Sequence, residues 1–297
     1  MEQIRKNLIV LHRCRGVTRR VIRRILHTDP SLQLLPTLSP QEISNFFTLP
    51  YKNASLLYTD YHHDQLWYQV ERDEQDYEII TMVDENYPPM IKPIKDKPLV
   101  LYTLGDTRLL THRPSLSVIG TRNPTMEAPA KMRFILEPLI ERGWLVVSGM
   151  AKGIDSHAHR LALSHRGKTI AVLGSGFWHM YPKENKALFE QIAHKGLLVS
   201  EYPPNNPPRK FHFPERNRII SGLSSGTLVI EATEKSGTLI TVGQALDQGR
   251  EVYALPGSPL CPQTKGCHRM IQDGAKLVME PKDILEDWQI HQRDFSL

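Results

Sequence analysis

The stretch FHFPERNRIISGLSSGTLVIEATEKSGTLIT, residues 211–241, decides how the chain folds. At its heart lies TLVIEA (227–232), an unbroken apolar run that ends on a carboxylate and gives way to a Ser/Gly turn. A strand wetted on one face alternates apolar and polar residues. An unbroken one is buried on both faces, as in a parallel sheet covered by helices. Working outward, the same pattern recurs in LSVIG (116–120), WLVVSG (144–149), TIAVLG (169–174), LLVSEY (197–202) and EVYALPG (251–257), with helical stretches between. The helix after the first of these puts Met132, Ile135, Leu136, Leu139 and Ile140 on one face, with Pro138 inside it where a kink is expected. Right-handed crossovers then predict an α/β fold, a doubly wound, mostly parallel Rossmann-like sheet. Its ligand site should lie beyond the carboxyl ends of the strands.

Upstream the pattern is different. Residues 1–75 read as a small all-helical domain. In VTRRVIRRIL the residues Val17, Val21, Ile22, Ile25 and Leu26 form one stripe, with Arg19, Arg20, Arg23 and Arg24 opposite. LSPQEISNFF reads as a helix start, with Ser39 as N-cap and Glu42 closing a capping box. Residues 76–114 form a connection, and its YPPMIKPIKDKP segment (87–98) is too rich in proline for a helix or central strand. The sheet domain then spans 115–297.

With 297 residues, two domains are the natural expectation at roughly 150 residues each. Hydrophobic residues at 40% and charged residues at 23% exclude wholesale disorder. The net charge of +5 is a mild basic bias, compatible with a polyanionic partner. No apolar run is long enough to span a bilayer and no signal peptide is evident, so the expected location is cytoplasmic, without membrane insertion. Cys14, Cys261 and Cys267 read as reduced thiols; the spacing of Cys261, Cys267 and His268 does not suit a zinc knuckle, and no metal is expected.

Function should therefore sit in the strand-end turns. Gly120, Gly149, Gly153, Gly174, Gly176 and Gly237 let backbone approach a ligand, and helix N-termini there offer amides to phosphate. No GxGxxG or GxxxxGK[ST] is present, so no nucleotide cofactor is expected. Cations gather on the same edge: Arg122, Lys152, Lys183, Lys186, Arg209, Lys210, Arg216 and Arg218. In RKFHFPERNR (209–218) they interleave with Phe211 and Phe213. Phosphate neutralisation combined with base stacking is how single-stranded nucleic acid is held without sequence readout. Ser148, Asn217, Ser236 and Thr238 complete the candidate binding set. The other reading makes the phenylalanines core and the arginines partners of Glu201 or Glu231.

Catalytic patterns are thin. Asp155, His157 and His159 could form an acid–base or metal cluster, but Asp155 also suits a helix N-cap. Glu201 and Glu231 could form a carboxylate pair, or could equally neutralise Arg216 and Arg218.

SGMAKGIDSHAH, TIAVLGSG with YPKEN, SEYPP, FHFPERNRIISGL, EATEKSGTLIT, REVYALPG and CHRMIQDGAKLV follow one another in order. Together they closely resemble the DNA-processing protein A family (DprA, also called Smf) over residues 80–280. The helical N-terminus is only loosely similar to the sterile-alpha-motif-like or helix-hairpin-helix-like domain of its members. The resemblance implies an extended Rossmann domain that binds incoming single-stranded DNA in natural transformation. It further implies protection of that strand and loading of the RecA recombinase where single-strand binding protein coats it. It also implies a homodimer through His268, Ile271 and Leu277, and a recombinase contact near Leu246.

The enzyme alternative is a nucleoside-monophosphate phosphoribohydrolase, a related Rossmann-like class that carries PGGxGTxxE. Here SGTLIT places Thr241 where that glutamate would stand, which argues against hydrolysis and for a protein that is not an enzyme. Whether the arginine-rich N-terminal helix touches DNA is left open by the residues.

Overall fold

A computed structural model describes residues 2–294. The chain divides into two compact units, one of residues 1–87 with 98–103, the other of residues 88–97 with 104–297.

Among the described residues the smaller unit holds five α-helices, α1 (Glu2–Arg13), α2 (Arg19–Thr28), α3 (Pro40–Phe46), α4 (Tyr51–Tyr61) and α5 (Asp64–Asp76). Their apolar stripes meet in a core that includes Leu8, Leu11, Ile25, Ile43, Phe47 and Leu57. Ser39 caps α3 as expected, accepting from the Glu42 N–H while the Glu42 carboxylate accepts from the Ser39 N–H at 2.8 Å. On α2, Thr18 is the N-cap, and Arg24 reaches across to donate to the carbonyls of Phe47 and Thr48 at 3.0 and 2.8 Å. Two strands that the sequence does not announce follow. In this unit β1 (Glu78–Thr81) pairs antiparallel with β2 (Val100–Gly105), Ile80 opposite Leu101.

In the larger unit the proline-rich segment is not a loose linker. Arg218 donates to the Asp96 carbonyl at 2.7 Å, and Arg250 to that of Met90 at 2.8 Å. Prolines remove ladder and helix bonds here, and the buried Arg218 and partly buried Arg250 each satisfy a carbonyl of the segment.

The sheet strands of this unit are β3 (Ser115–Ile119), β4 (Leu145–Ser148), β5 (Thr169–Leu173), β6 (Leu197–Ser200), β7 (Gly226–Val229), β8 (Glu251–Ala254) and β9 (Lys276–Leu277). They lie in the order β6-β5-β4-β3-β7-β8-β9, and each neighbouring pair is parallel. The first four central runs are buried along their whole length, which is why they read as unbroken apolar stretches. Helices α6 (Ala128–Glu141), α7 (Ile154–Ser164), α8 (Lys186–Lys195), α9 (His212–Gly222), α10 (Thr238–Asp247), α11 (Pro262–Gln272) and α12 (Lys282–Asp294) connect and cover them. Helix α6 runs through Pro138, its apolar face packed with Leu116, Trp144, Val146 and Val278. That packing supplies the stability an interior proline removes. The fold is thus the α/β, mostly parallel Rossmann-like arrangement expected, with a helical N-terminal region.

The cation-rich run 209–218 is not wholly a strand-end turn, since α9 already begins at His212. Pro214 falls in its first turn, where its missing N–H has no intrahelical partner to lose.

Candidate functional site

From β3 the chain moves on to β4 on one flank, and from β7 to β8 on the other. The carboxyl ends of these two neighbouring strands are therefore a topological switch point, where open α/β sheets bind ligands. A cavity of about 590 Å³ opens there. Gly120, Thr121 and Arg122 enter it from the turn after β3, and Ser236, Gly237 and Thr238 from the turn after β7. Helix α9 supplies Phe213, Arg216 and Asn217, and Lys210 precedes it. A smaller recess of about 50 Å³ shares Arg122, Tyr181, Phe213 and Arg216 and adds Lys152 and Gly174.

The floor is charged and buried. Asp155 and Arg216 are both buried. A Cβ on Gly149 would fall 2.5 Å from Asp155 Oδ2 and 2.5 Å from Arg216 Nη1, so the two groups face each other across the space that this glycine leaves empty. Arg216 also donates from Nη1 to the Val172 carbonyl of β5 and from Nε to Asn217 Oδ1 at 3.2 Å. Burial pushes the Asp155 carboxyl up from its ordinary value, against the pull of Arg216 and Arg122. Burial likewise pushes the Arg216 guanidinium down, with Asp155 opposing it. Asp155 does not cap α7. That position belongs to Gly153, at φ 77°, because a Cβ there would strike the Thr121 and Arg122 carbonyls at 2.5 and 2.7 Å.

Beneath this pair, His159 bridges Gly149 O and Thr169 Oγ1, both at 2.6 Å. Burial pushes its imidazole down to about 4, with Arg216 and Arg160 acting in the same sense. The ring is neutral at pH 7. Because the Gly149 carbonyl only accepts, the proton of the neutral ring sits on Nε2, and Nδ1 faces the Thr169 hydroxyl, whose oxygen also lies 2.8 Å from the Val146 carbonyl. His157 lies on another face of α7 and is partly buried. Among the described residues no cluster of His, Cys, Asp and Glu is arranged to hold a metal ion. His268 bonds instead with the Gly257 backbone, and Cys267 is buried.

The two glutamates are occupied. Glu231 accepts from the Thr125 N–H at 2.8 Å, its hydroxyl at 2.6 Å and Lys131 Nζ at 3.3 Å. Glu201 accepts from Arg218 Nη2 on both carboxylate oxygens and is likewise buried. Neither lines the cavity.

Of the candidate residues, the fold brings Gly120, Arg122, Lys210, Phe213, Arg216, Asn217, Ser236, Gly237 and Thr238 to the cavity, with Lys152 and Gly174 beside it. Lys183, Lys186, Arg209 and Phe211 are exposed outside it. Ser148 donates to the Val118 carbonyl at 2.6 Å, Gly149 underlies the charged floor, and Gly176 packs under the Pro203 and Pro204 carbonyls. Arg218 is buried against Glu201, the alternative that the residues left open. Lys152 pairs with Glu184 at 2.6 Å on the surface. Sequence reading passes over Tyr181, whose ring meets Phe213 at 5.6 Å and lines both recesses. The signal was the YP pair ahead of KEN, an aromatic fixed by a following proline. At α10 the expected free amides are mostly taken. The Thr238 N–H donates to Ser236 Oγ at 3.1 Å, and those of Leu239 and Ile240 donate to the Ser236 and Gly237 carbonyls. What this opening presents to an anion is therefore side-chain cations, Arg122 and Lys210, more than free amides of that helix end.

In the C-terminal segment Met270 and Val278 are core, Ile271 is half-buried, and Leu277 is exposed. Leu277 shares a shallow surface cavity with Phe134 and Met279. Leu246 on α10 is exposed. No helix among the described residues is long and apolar enough to cross a membrane.

A family model described as DNA recombination-mediator protein A matches residues 78–289. The chain is 44% identical over 214 residues to DNA processing protein DprA of Bacillus subtilis, covering 72% of each protein. It is 42% identical over 220 residues to that of Streptococcus pneumoniae, covering 74% of this chain and 77% of the relative. The crystal structure of the Streptococcus pneumoniae protein superposes with a TM-score of 0.83 at 36% identity, over 95% of this chain and 97% of that one. DNA processing protein A of Helicobacter pylori, described for its single-stranded DNA binding mode, gives a TM-score of 0.65 at 28% identity, over 72% of this chain and 97% of that one.

Proposed function

The chain belongs to the DNA recombination-mediator protein A family, and from that premise we propose that it binds single-stranded DNA in the switch-point cavity. The observation that carries the reading is the juxtaposition of the Phe213 and Tyr181 rings with exposed Arg122, Lys152 and Lys210 around one opening. Rings take the faces of bases whatever their identity, and the cations take the phosphates. Arg122 is the principal phosphate anchor, since its guanidinium presents a fork to two oxygens.

In the cell this protein acts in the cytoplasm, protecting the incoming strand during natural transformation. It loads RecA onto strands coated by single-strand binding protein for homologous recombination. Exposed Leu246 lies in the recombinase contact, and Ile271 and Leu277, with His268, lie at a homodimer interface. Residues 115–297 form the DNA-binding domain. No reaction is catalysed. Hydrolysis of a nucleoside monophosphate would need a carboxylate free to face the sugar, and Glu231 is buried with both oxygens engaged.

Titration with single-stranded and duplex oligonucleotides, without nucleotide cofactor, tests the reading. Preference for the single strand is expected, independent of sequence. Equal affinity for duplex, or release of free base from a nucleoside monophosphate, would overturn it.

A further inference from the structure

We propose that Trp178 is an additional base-stacking residue outside the cavity, carrying the single strand onward over the loops after β5 and β6. The inference rests on the single-strand reading above and extends it. Of the four tryptophans, Trp144 is buried and Trp67 and Trp288 are partly buried, whereas Trp178 is 62% exposed. Isolated exposed apolar residues are ordinary, so exposure alone assigns nothing. What distinguishes Trp178 is how firmly it is held and what surrounds it.

Its backbone is fixed from both sides. The Trp178 N–H donates to the Pro204 carbonyl at 3.0 Å, and the Gly176 N–H to that of Asn206 at 2.9 Å, so the loop after β5 is fastened to the loop after β6. The preceding Phe177 is buried against Phe189, at 6.5 Å between ring centres. A ring displayed on backbone this constrained loses little entropy on stacking. Trp178 is also close to the site. Tyr181 lines the cavity, and three residues of chain span at most about 11 Å, so Trp178 lies within one short step of the Tyr181–Phe213 wall.

The neighbouring charge selects the occupant. Lys183 follows on the same loop and Lys186 opens α8 after it, and Arg209 and Lys210 end the adjoining loop, all exposed. The nearby acids Glu184 and Glu190 face Lys152 and Lys186. Phe211 adds a second exposed ring beside these cations, set edge-on to His212, which stacks on Tyr202 at 3.9 Å. Exposed rings interleaved with cations suit a strand of bases and phosphates. An apolar protein partner would meet four charges that it must desolvate.

The test uses the full chain and oligothymidylates of increasing length. Wild-type tryptophan emission should be quenched on binding, and Trp178→Phe should lose most of that quench while still binding. Trp178→Ala should bind long oligomers about tenfold more weakly, as expected when one base stack is removed, and bind the shortest Arg122-dependent oligomer as wild type does. Unchanged affinity at every length, without quenching, while Arg122→Ala abolishes binding, would overturn the role of Trp178 and leave the cavity site standing. Absence of any wild-type binding would overturn the single-strand site, and this inference with it.

Discussion

Arg218 donates from Nη2 to both carboxylate oxygens of Glu201, at 2.7 and 2.9 Å, and both side chains are buried. Two residues earlier on the same helix, Arg216 points under the cavity instead. The two arginines of FPERNR thus do different work although the sequence presents them as equals. One ties α9 to the end of β6, while the other sets the charge of the site's floor.

Arg218→Ala should therefore lower stability by about 3–5 kcal/mol, because it strands a buried carboxylate. Urea unfolding measures this. Single-strand affinity of the protein that remains folded should hold. Normal stability with weakened DNA binding would place Arg218 on the nucleic acid.

Arg122 and Lys210 should behave in the opposite way. Both are exposed at the cavity, so replacing both with alanine should leave the unfolding midpoint nearly unchanged. Affinity for single-stranded DNA should fall, and the slope of log K against log salt should flatten by about 1.4, since each phosphate left without its cation removes roughly 0.7. Anisotropy titrations at several salt concentrations supply both numbers. An unaltered slope with wild-type affinity would remove these two residues from the phosphate path.

Self-association should run through the surface that carries Leu277. Its neighbours Phe134 and Met279 are exposed as well, and a two-fold dimer needs one such self-complementary patch. Glutamate at both Ile271 and Leu277 should give a folded monomer with weaker, less cooperative DNA binding. Sedimentation showing that the wild type is already monomeric at micromolar concentration would end the idea.

The sheet was legible because burial on both faces writes itself as unbroken runs such as TIAVL and LLVS. β1, β2 and β9 were not. β1 and β2 flank a proline-rich stretch that reads as a connection and masks them, and β9 has only two residues, too few for any period to show. At the site, the ends of β3 and β7 could be found from their glycines and cations. The partition of Arg216 from Arg218 could not. It depends on which way α9 faces, and thereby on Gly149, far away in sequence, leaving room for Asp155. Tyr181 escaped for a related reason, since only the folded loop turns its ring toward Phe213.

His159 offers the clearest pH dependence. Its imidazole is buried between Gly149 and Thr169 and titrates at about 4, against about 6.5 in an unfolded chain. Between those values the unfolded state binds a proton that the folded state refuses. Stability is therefore complete above pH 6.5 and falls as pH drops through the window, by on the order of 3 kcal/mol at pH 4. Other groups titrate in the same range, so the measurement is a difference. His159→Gln keeps a donor for the Gly149 carbonyl but cannot titrate. It should be less stable than wild type at pH 7, and the gap should close by that same amount as pH falls to 4. Urea unfolding of both proteins at half-unit steps resolves it. A gap that stays constant would mean that the folded protein accommodates a charged imidazole beneath Arg216. The arrangement of neutral ring, glycine and facing Asp155 and Arg216 under the cavity would then be wrong.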